Sequence, residues 1–300
     1  MTLAERIGGE IINCDSTAVF RGFDIGTDKV PLDERRGIPH HLIDIANPTD
    51  DYTAAQFARD AAAVVADVQA RGRVPILVGG TGFYYRALTR GLFPGPGKHA
   101  ALRDRLDGMA ARRGVDFLWR MVKRLDPPSA ARILPRDRKR LVRALEVYFQ
   151  TGKPLTAHFA ETVSPLAPEV TVTALALRMP SAELAPRLAR RVDAQFDAGI
   201  VDEVQALLAR GVPRTARPFG GLVYRQVIEM LDGVRDEAAT RELIVRENRR
   251  YARRQLIWFR KEPNLMWFDG PGESPEVQAR VLGWLAERGL LIDGGPAAHA

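Results

Sequence analysis

Residues 10–29 read EIINCDSTAVFRGFDIGTDK, and the reading of this stretch decides the rest. Glu10-Ile11-Ile12-Asn13-Cys14-Asp15 is apolar enough for a half-buried strand. The strand delivers a carboxylate, Asp15, and a hydroxyl, Ser16, into a loop at its C-terminal end. Open α/β sheets bind their ligands at that end of their strands, which makes the pair a candidate site. Asp and Ser are also ordinary capping residues, and spacing alone leaves both readings open.

Working outward, strands and helices alternate. Residues 41–45 are expected to form a second strand. Thr53-Ala54-Ala55-Gln56 reads as a capping box. The helix it opens carries Phe57, Ala61, Val64, Val65 and Val68 on one face and stops near Arg71-Gly72. Val74–Val78 is an apolar strand running into Gly79-Gly80-Thr81-Gly82. Strands separated by helices predict an α/β fold with a parallel sheet and right-handed crossovers.

Pro94-Gly95-Pro96-Gly97 marks a boundary. From there to about Thr162 the patterns are helical, and Pro127-Pro128 and Pro135 cut them into shorter helices. Residues 170–177 return to strand character. A long helix then begins near Ser181 and carries Arg187, Arg190 and Arg191. The expected organisation is an α/β core over residues 1–93 and 166–300, with an all-helical insertion over 94–165. The tail from Gly294, small residues and proline, reads as disordered.

Three hundred residues can bury a sizeable core. A single cysteine, Cys14, excludes an internal disulfide and fits a reducing compartment. No apolar run approaches the ~18 residues of a membrane span, and the N-terminus lacks a signal-peptide pattern. The expectation is a cytoplasmic protein with no membrane partner. The net charge is +7, and residues 103–143 alone hold 13 Lys/Arg against 5 Asp/Glu. That one segment accounts for the whole excess. It reads either as a surface for a polyanion or as a solvated helical face.

Later in the chain, Arg246, Arg249, Arg250 and Arg253 follow i, i+3, i+4, i+7 and share one helix face. Tyr251, Gln255 and Trp258 occupy a neighbouring face. Arginine beside aromatics suits RNA, where bases stack and phosphates pair, but core packing explains Tyr251 and Trp258 as well. His40 and His41 lack partners at metal-ligand spacing and read as structural.

Taken in order, these motifs resemble those of the tRNA dimethylallyltransferases, which prenylate an adenine beside the anticodon. The matching residues are Asp15-Ser16, Arg21-Gly22-Phe23-Asp24-Ile25-Gly26-Thr27, His40-His41-Leu42-Ile43-Asp44, and Gly79-Gly80-Thr81-Gly82 with Tyr84. Further on they are Arg143-Ala144-Leu145-Glu146-Val147, Thr151-Gly152-Lys153 and Arg254-Gln255-Leu256-Ile257-Trp258-Phe259. Phe219 to Gln226 also resembles a family segment, except that Val223 stands where the family usually has glycine.

The resemblance implies a P-loop NTPase-like sheet flanked by helices, and a helical insertion that binds tRNA. It implies transfer of a dimethylallyl group from dimethylallyl diphosphate to N6 of the adenine immediately 3′ of the anticodon, in tRNAs reading codons that begin with U. Mg²⁺ is the implied cofactor, with no ligands indicated, and the anticodon stem-loop the implied partner of a monomer. Asp15 is implied as the catalytic base, with Ser16, Thr17 and Ala18 lining the entrance for tRNA. Arg187 is implied as a catalytic, diphosphate-binding group. Arg191, four residues on and hence on the same face, is a second candidate for the diphosphate. Either arginine could instead make a surface ion pair with Asp193 or Glu183. Further tRNA contacts are implied at Thr81, Arg103, Lys139, Arg140, Leu141, Val142, Arg143, Arg254 and Gln255.

The family opens with a strand and a P-loop ending in glycine-lysine-serine/threonine, and no G-x-x-x-x-G-K-[ST] occurs in these residues. Met1 to Gly9 resembles the tail of the helix after that loop, so the natural start is expected upstream of Met1. Without that amide cradle, turnover is expected to be nearly abolished. Two rival readings follow, an isopentenyltransferase acting on free adenine nucleotides and a tRNA-binding chain without catalysis.

Overall fold

Gly9–Asn13 forms the first strand, β1, and all five of its residues are buried. It starts where helix α1 (Thr2–Ile7) stops, at Gly8, whose left-handed φ of 61° turns the chain into the sheet. The computed structural model describes residues 1–93 and 95–291, so Pro94 of the expected boundary and the tail from Gly294 lie outside the described residues. Backbone contacts divide the chain into two units, Met1–Leu88 with Leu166–Ala300, and Thr89–Pro165.

In the first unit, β1 lies between β2 (His40–His41) and β3 (Val74–Val78), parallel to both. β2 is shorter than expected. Leu42 and Asp44 take φ of 61° and 56°, a conformation that ends an extended strand. Two side chains hold that bend. Asn13 Nδ2 donates to Leu42 O at 3.0 Å, and the buried Lys29 ammonium donates to Asp44 Oδ1 at 2.5 Å.

The histidines of β2 have structural partners, His40 Nδ1 near Ile38 O (2.8 Å) and His41 Nε2 near Glu10 Oε2 (2.7 Å). Glu10 is a carboxylate inside a buried strand, which is tolerable only because it is paired. Hydrogen bonds from Arg71 hold it at about 2, against burial and with help from His41.

Helix α2 (Ala54–Ala70) begins on the expected capping box. Gln56 N donates to Thr53 Oγ1 and Thr53 N to Gln56 Oε1. It buries Phe57, Ala61, Val65 and Val68 and ends at Arg71. β3 then leads through the glycine turn into α3 (Gly82–Thr89).

The second unit is helical: α4 (Ala100–Arg113), α5 (Val115–Leu125), α6 (Pro127–Arg132), α7 (Arg138–Thr151) and α8 (Leu155–His158). Leu106, Leu118, Val122, Leu141, Val142 and Leu145 form its core. The prolines act as punctuation. Pro127 occupies the first position of α6, and Asp126 caps that helix by accepting from Ser129 N at 3.1 Å.

Back in the first unit, β4 (Ala174–Arg178) and β5 (Leu265–Asp269) form a separate parallel pair. The parallel strands thus make two sheets rather than one. Among the described residues, β3 and β4 are each paired along one edge only. β4 starts later than residue 170 because its partner begins only at Leu265, opposite Ala174. Around the pair run α9 (Ser181–Asp197), α10 (Ile200–Ala209), α11 (Tyr224–Leu231), α12 (Glu237–Phe259) and α13 (Pro275–Ala286).

The run from Arg21 to Thr27 is a clasp between the loop after β1 and these helices. Phe23 meets Phe219 and Tyr224 edge-on, with ring centroids 5.0 and 4.8 Å away. Glu203 Oε2 accepts from Asp24 N and Ile25 N, while Tyr224 Oη donates to Glu203 Oε1 at 2.6 Å. Gly26 N donates to Tyr224 Oη at 3.1 Å, and a Cβ on Gly26 would lie 2.6 Å from the tyrosine ring. Only glycine fits there. Val223 keeps a positive φ of 73° although it is β-branched, at a cost of about 1–3 kcal/mol. Its burial in the core holds it there.

Candidate active site

Asp15 leaves β1 on a loop that Asn13 grips from both sides. Asp15 N donates to Asn13 Oδ1 at 3.0 Å, and Asn13 Nδ2 donates to Asp15 O at 3.1 Å. The Asp15 carboxylate is then divided. Oδ1 accepts from Thr17 N (2.7 Å), Thr17 Oγ1 (2.5 Å) and Ala18 N (3.3 Å). Oδ2 accepts no hydrogen bond from the described residues. One oxygen of Asp15 thus caps the turn, and the other makes no such contact. Ser16 and Thr17 are half-buried beside it. Ala18 is buried and offers its amide to Asp15 rather than a surface to a ligand.

The glycine turn packs against this loop. Thr81 N donates to Cys14 O at 3.1 Å, and Ser16 N donates to Thr81 Oγ1 at 3.1 Å. Each neighbouring glycine has a steric reason. A Cβ on Gly79 would lie 2.4 Å from Cys14 O, one on Gly80 2.1 Å from Gln255 Nε2, and one on Gly82 2.3 Å from the Trp258 ring. Burial pushes the Cys14 thiol up to about 12, so it stays protonated and is no nucleophile.

Helix α12 closes the other side with the row Tyr251, Gln255, Trp258. Gln255 Nε2 donates to Gly80 O at 2.9 Å. Trp258 lies under Gly82 and carries the Arg86 guanidinium 4.5 Å from its ring centroid. Arg254 stacks its guanidinium 5.6 Å from the Tyr251 ring centroid. The solvent face of the helix exposes Arg246, Arg249, Arg250 and Arg253. Arg250 is paired with Glu247, whereas Arg246, Arg249 and Arg253 form no ion pair among the described residues.

So the fold brings Asp15, Ser16, Thr17, Ala18, Thr81 and Gln255 together. The arginines of α9 sit differently. Arg187 is paired with Glu273 and Arg191 with Asp28, in place of the Glu183 and Asp193 expected from sequence neighbours. Asp28 also accepts from Gln195 Nε2 at 2.8 Å, so Arg191 braces α9 against the clasp after β1. Arg187 and Arg190 line an open cleft of about 230 Å³. Arg190 forms no ion pair among the described residues; the sequence placed it on this helix without giving it a role.

In the helical unit, Lys139 and Arg140 are exposed. Leu141 and Val142 are corrected to core residues, buried at 0% and 5%, which puts their side chains beyond reach of a tRNA. Arg103 and Arg143 both bind the buried Glu146 carboxylate at 2.7–2.8 Å. Burial pushes Glu146 up, but Arg103, the His99 amide and Arg143 outweigh it and hold the group at about 2.

Among the described residues, no group of three or more His, Cys, Asp or Glu could hold a metal. No described helix is long and apolar enough to cross a membrane.

The chain is similar to several known proteins of one family. A family model described as IPP transferase matches residues 18–262. The tRNA dimethylallyltransferase of Solibacter usitatus is 46% identical over 290 residues, covering 96% of this chain and 93% of the relative. That of Geobacter metallireducens is 41% identical over 284 residues, covering 95% and 92%. The crystal structure of a tRNA isopentenylpyrophosphate transferase from Bacillus halodurans superposes with a TM-score of 0.68 at 33% identity. It covers 96% of this chain and 90% of that one.

Proposed function

The chain belongs to the IPP transferase family, and on that premise we propose that it transfers a dimethylallyl group to tRNA. The acceptor is N6 of the adenine immediately 3′ of the anticodon, and the donor is dimethylallyl diphosphate. The observation that carries this reading is the divided Asp15 carboxylate, fixed through Oδ1 and open at Oδ2.

In the reaction, N6 attacks C1 of the dimethylallyl group. The C1–O bond breaks and its electron pair leaves with the diphosphate. The N6 proton passes to Asp15 Oδ2. General-base help of this kind is worth about 10²–10⁴-fold. Arg187, with Arg190 about one turn further along the same helix and lining the same cleft, would receive the leaving diphosphate, since guanidinium forks match phosphate oxygens. Mg²⁺, bound together with the diphosphate, would supply positive charge to the leaving group, and every other step is assigned to the chain's own groups. The adenine must leave its stack to reach Asp15. The exposed arginines of α12, with Lys139 and Arg140 of the helical unit, offer charge for the tRNA backbone.

The test is to incubate the chain with dimethylallyl diphosphate and either tRNA or free AMP, then analyse the nucleosides by mass spectrometry. The expected product is N6-dimethylallyladenosine in the tRNA alone, with a yield that falls steeply as salt rises. Product from AMP at an equal rate would support the free-nucleotide reading instead. tRNA binding with no product would leave a binding protein.

A further inference from the structure

The buried Glu146 carboxylate takes no part in the proposed reaction. It belongs to the inward side of α7, with Leu141, Val142, Ala144, Leu145 and Val147. Both of its oxygens are filled. Oε1 accepts from His99 N at 2.8 Å and from Arg103 Nε at 2.7 Å. Oε2 accepts from Arg103 Nη2 at 2.8 Å and from Arg143 Nη1 at 2.7 Å. One oxygen thus holds two guanidinium groups side by side, one from α4 and one from α7. Arg143 is fixed further, because its Nη2 donates to Pro96 O at 3.0 Å and its guanidinium lies 5.7 Å from the centroid of the Phe93 ring.

The acid is fully buried, but the side chains of Arg103 and Arg143 are 33% and 32% exposed. A guanidinium carries five N–H donors, and each of these uses only two. Neither arginine pairs with a second acid among the described residues. Stability does not call for such a centre, since a buried ion pair gains little over apolar packing of similar volume. What the centre provides is two fixed forks at the surface. Lys139 and Arg140, about one turn before Arg143, are exposed beside them.

We propose that Glu146 is a positioning residue for tRNA, aligning Arg103 and Arg143 so that their remaining N–H groups take a backbone phosphate together. The proposal rests on the reading of tRNA as the substrate. Phosphate oxygens accept paired N–H bonds from a guanidinium fork, which the point charge of a lysine does not reproduce. The acid acts here through alignment and not through charge. Its removal raises the local positive charge, so charge alone predicts tighter binding of tRNA, whereas alignment predicts weaker binding.

The experiment is equilibrium binding of unmodified tRNA over a range of salt, at a temperature where each variant keeps its full helical circular dichroism. Glu146→Gln should weaken binding about fivefold although it removes a negative charge. Arg143→Lys, which keeps both the charge and the buried acid, should also weaken it about fivefold with the salt slope unchanged. The triple variant Arg103→Gln/Arg143→Gln/Glu146→Gln should lower the slope of log K against log salt by about 1, the share of one phosphate. Its affinity should fall only about twofold below that of Glu146→Gln, because the acid and the arginines act through one contact.

A folded Glu146→Gln variant that binds tRNA as tightly as wild type, or more tightly, would overturn the proposal and leave Glu146 a packing device. Wild-type affinity in Arg143→Lys would overturn it as well, and that variant decides alone if Glu146→Gln does not fold. A triple variant with the wild-type salt slope would show that the arginines touch no phosphate. If wild type itself does not bind tRNA, the substrate reading fails, and the proposal falls with it.

Discussion

The two halves of the candidate site are built in opposite ways. On the proposed acceptor side, Asp15 is held by three donors on one oxygen, its loop is gripped by Asn13, and Gly80 and Gly82 of the glycine turn lie close against Gln255 and Trp258 of α12. On the proposed donor side, Arg187 and Arg191 are about half exposed on α9, and each is paired with one acid, Glu273 or Asp28. The first arrangement fixes an oxygen before any ligand arrives. In the second, a diphosphate would have to displace Glu273 from Arg187, so part of the binding free energy is spent on that exchange. On the proposed assignment, acceptor geometry is preorganised and donor binding would depend on competition between anions.

Breaking the acceptor side should have the larger effect. Gly79→Ala puts a methyl group 2.4 Å from Cys14 O, against backbone that cannot swing away. The loop carrying Asp15 must shift, and a displacement near 1 Å costs roughly 10²-fold in rate. The expected outcome is that loss together with a lower Tm. Full activity in the alanine variant would show that the loop is not fixed as described.

A smaller effect is expected at Arg187. Its side chain is 41% exposed and shared with Glu273, so Arg187→Gln should cost about tenfold in single-turnover rate, less than the 10²–10³ of a preorganised, enclosed donor. Its tRNA affinity should be unchanged. Because Glu273 competes with the diphosphate, Glu273→Gln should lower the KM for dimethylallyl diphosphate about threefold. A raised KM there would contradict the competition and make Glu273 a support for the arginine.

The contrast also explains what was legible in the sequence. Features set by neighbours along the chain read well. The capping box at Thr53 and Gln56, the end of α2 at Arg71, and the breaks at Pro127 and Pro135 need only local steric and hydrogen-bond rules. The loop after β1 was legible as a carboxylate at a strand end. Its grip by Asn13 had one signal, an amide where a buried strand favours apolar residues.

Pairings across long separations were not legible. Arg187 and Glu273 are 86 residues apart, and the acids nearest in sequence were the wrong partners. The positive φ at Leu42 and Asp44 follows from Asn13 and Lys29 reaching over, which no local pattern encodes. Leu141 and Val142 belong to a motif that resembles a tRNA-contacting segment, yet helical periodicity turns them into the core while Lys139 and Arg140 face out. A motif match does not say which of its side chains reach the ligand.

The central claim is that the open oxygen of Asp15 takes the proton of the adenine amine. The most direct measurement is the single-turnover rate of dimethylallyl transfer to an anticodon stem-loop, wild type against Asp15→Asn, with both proteins saturated by tRNA. Asparagine keeps the turn contacts of Oδ1 but cannot accept the proton, so the account predicts a rate loss of about 10²–10⁴-fold at unchanged Tm. A variant within threefold of wild type would contradict it, and the divided carboxylate would then be only the cap of its own turn.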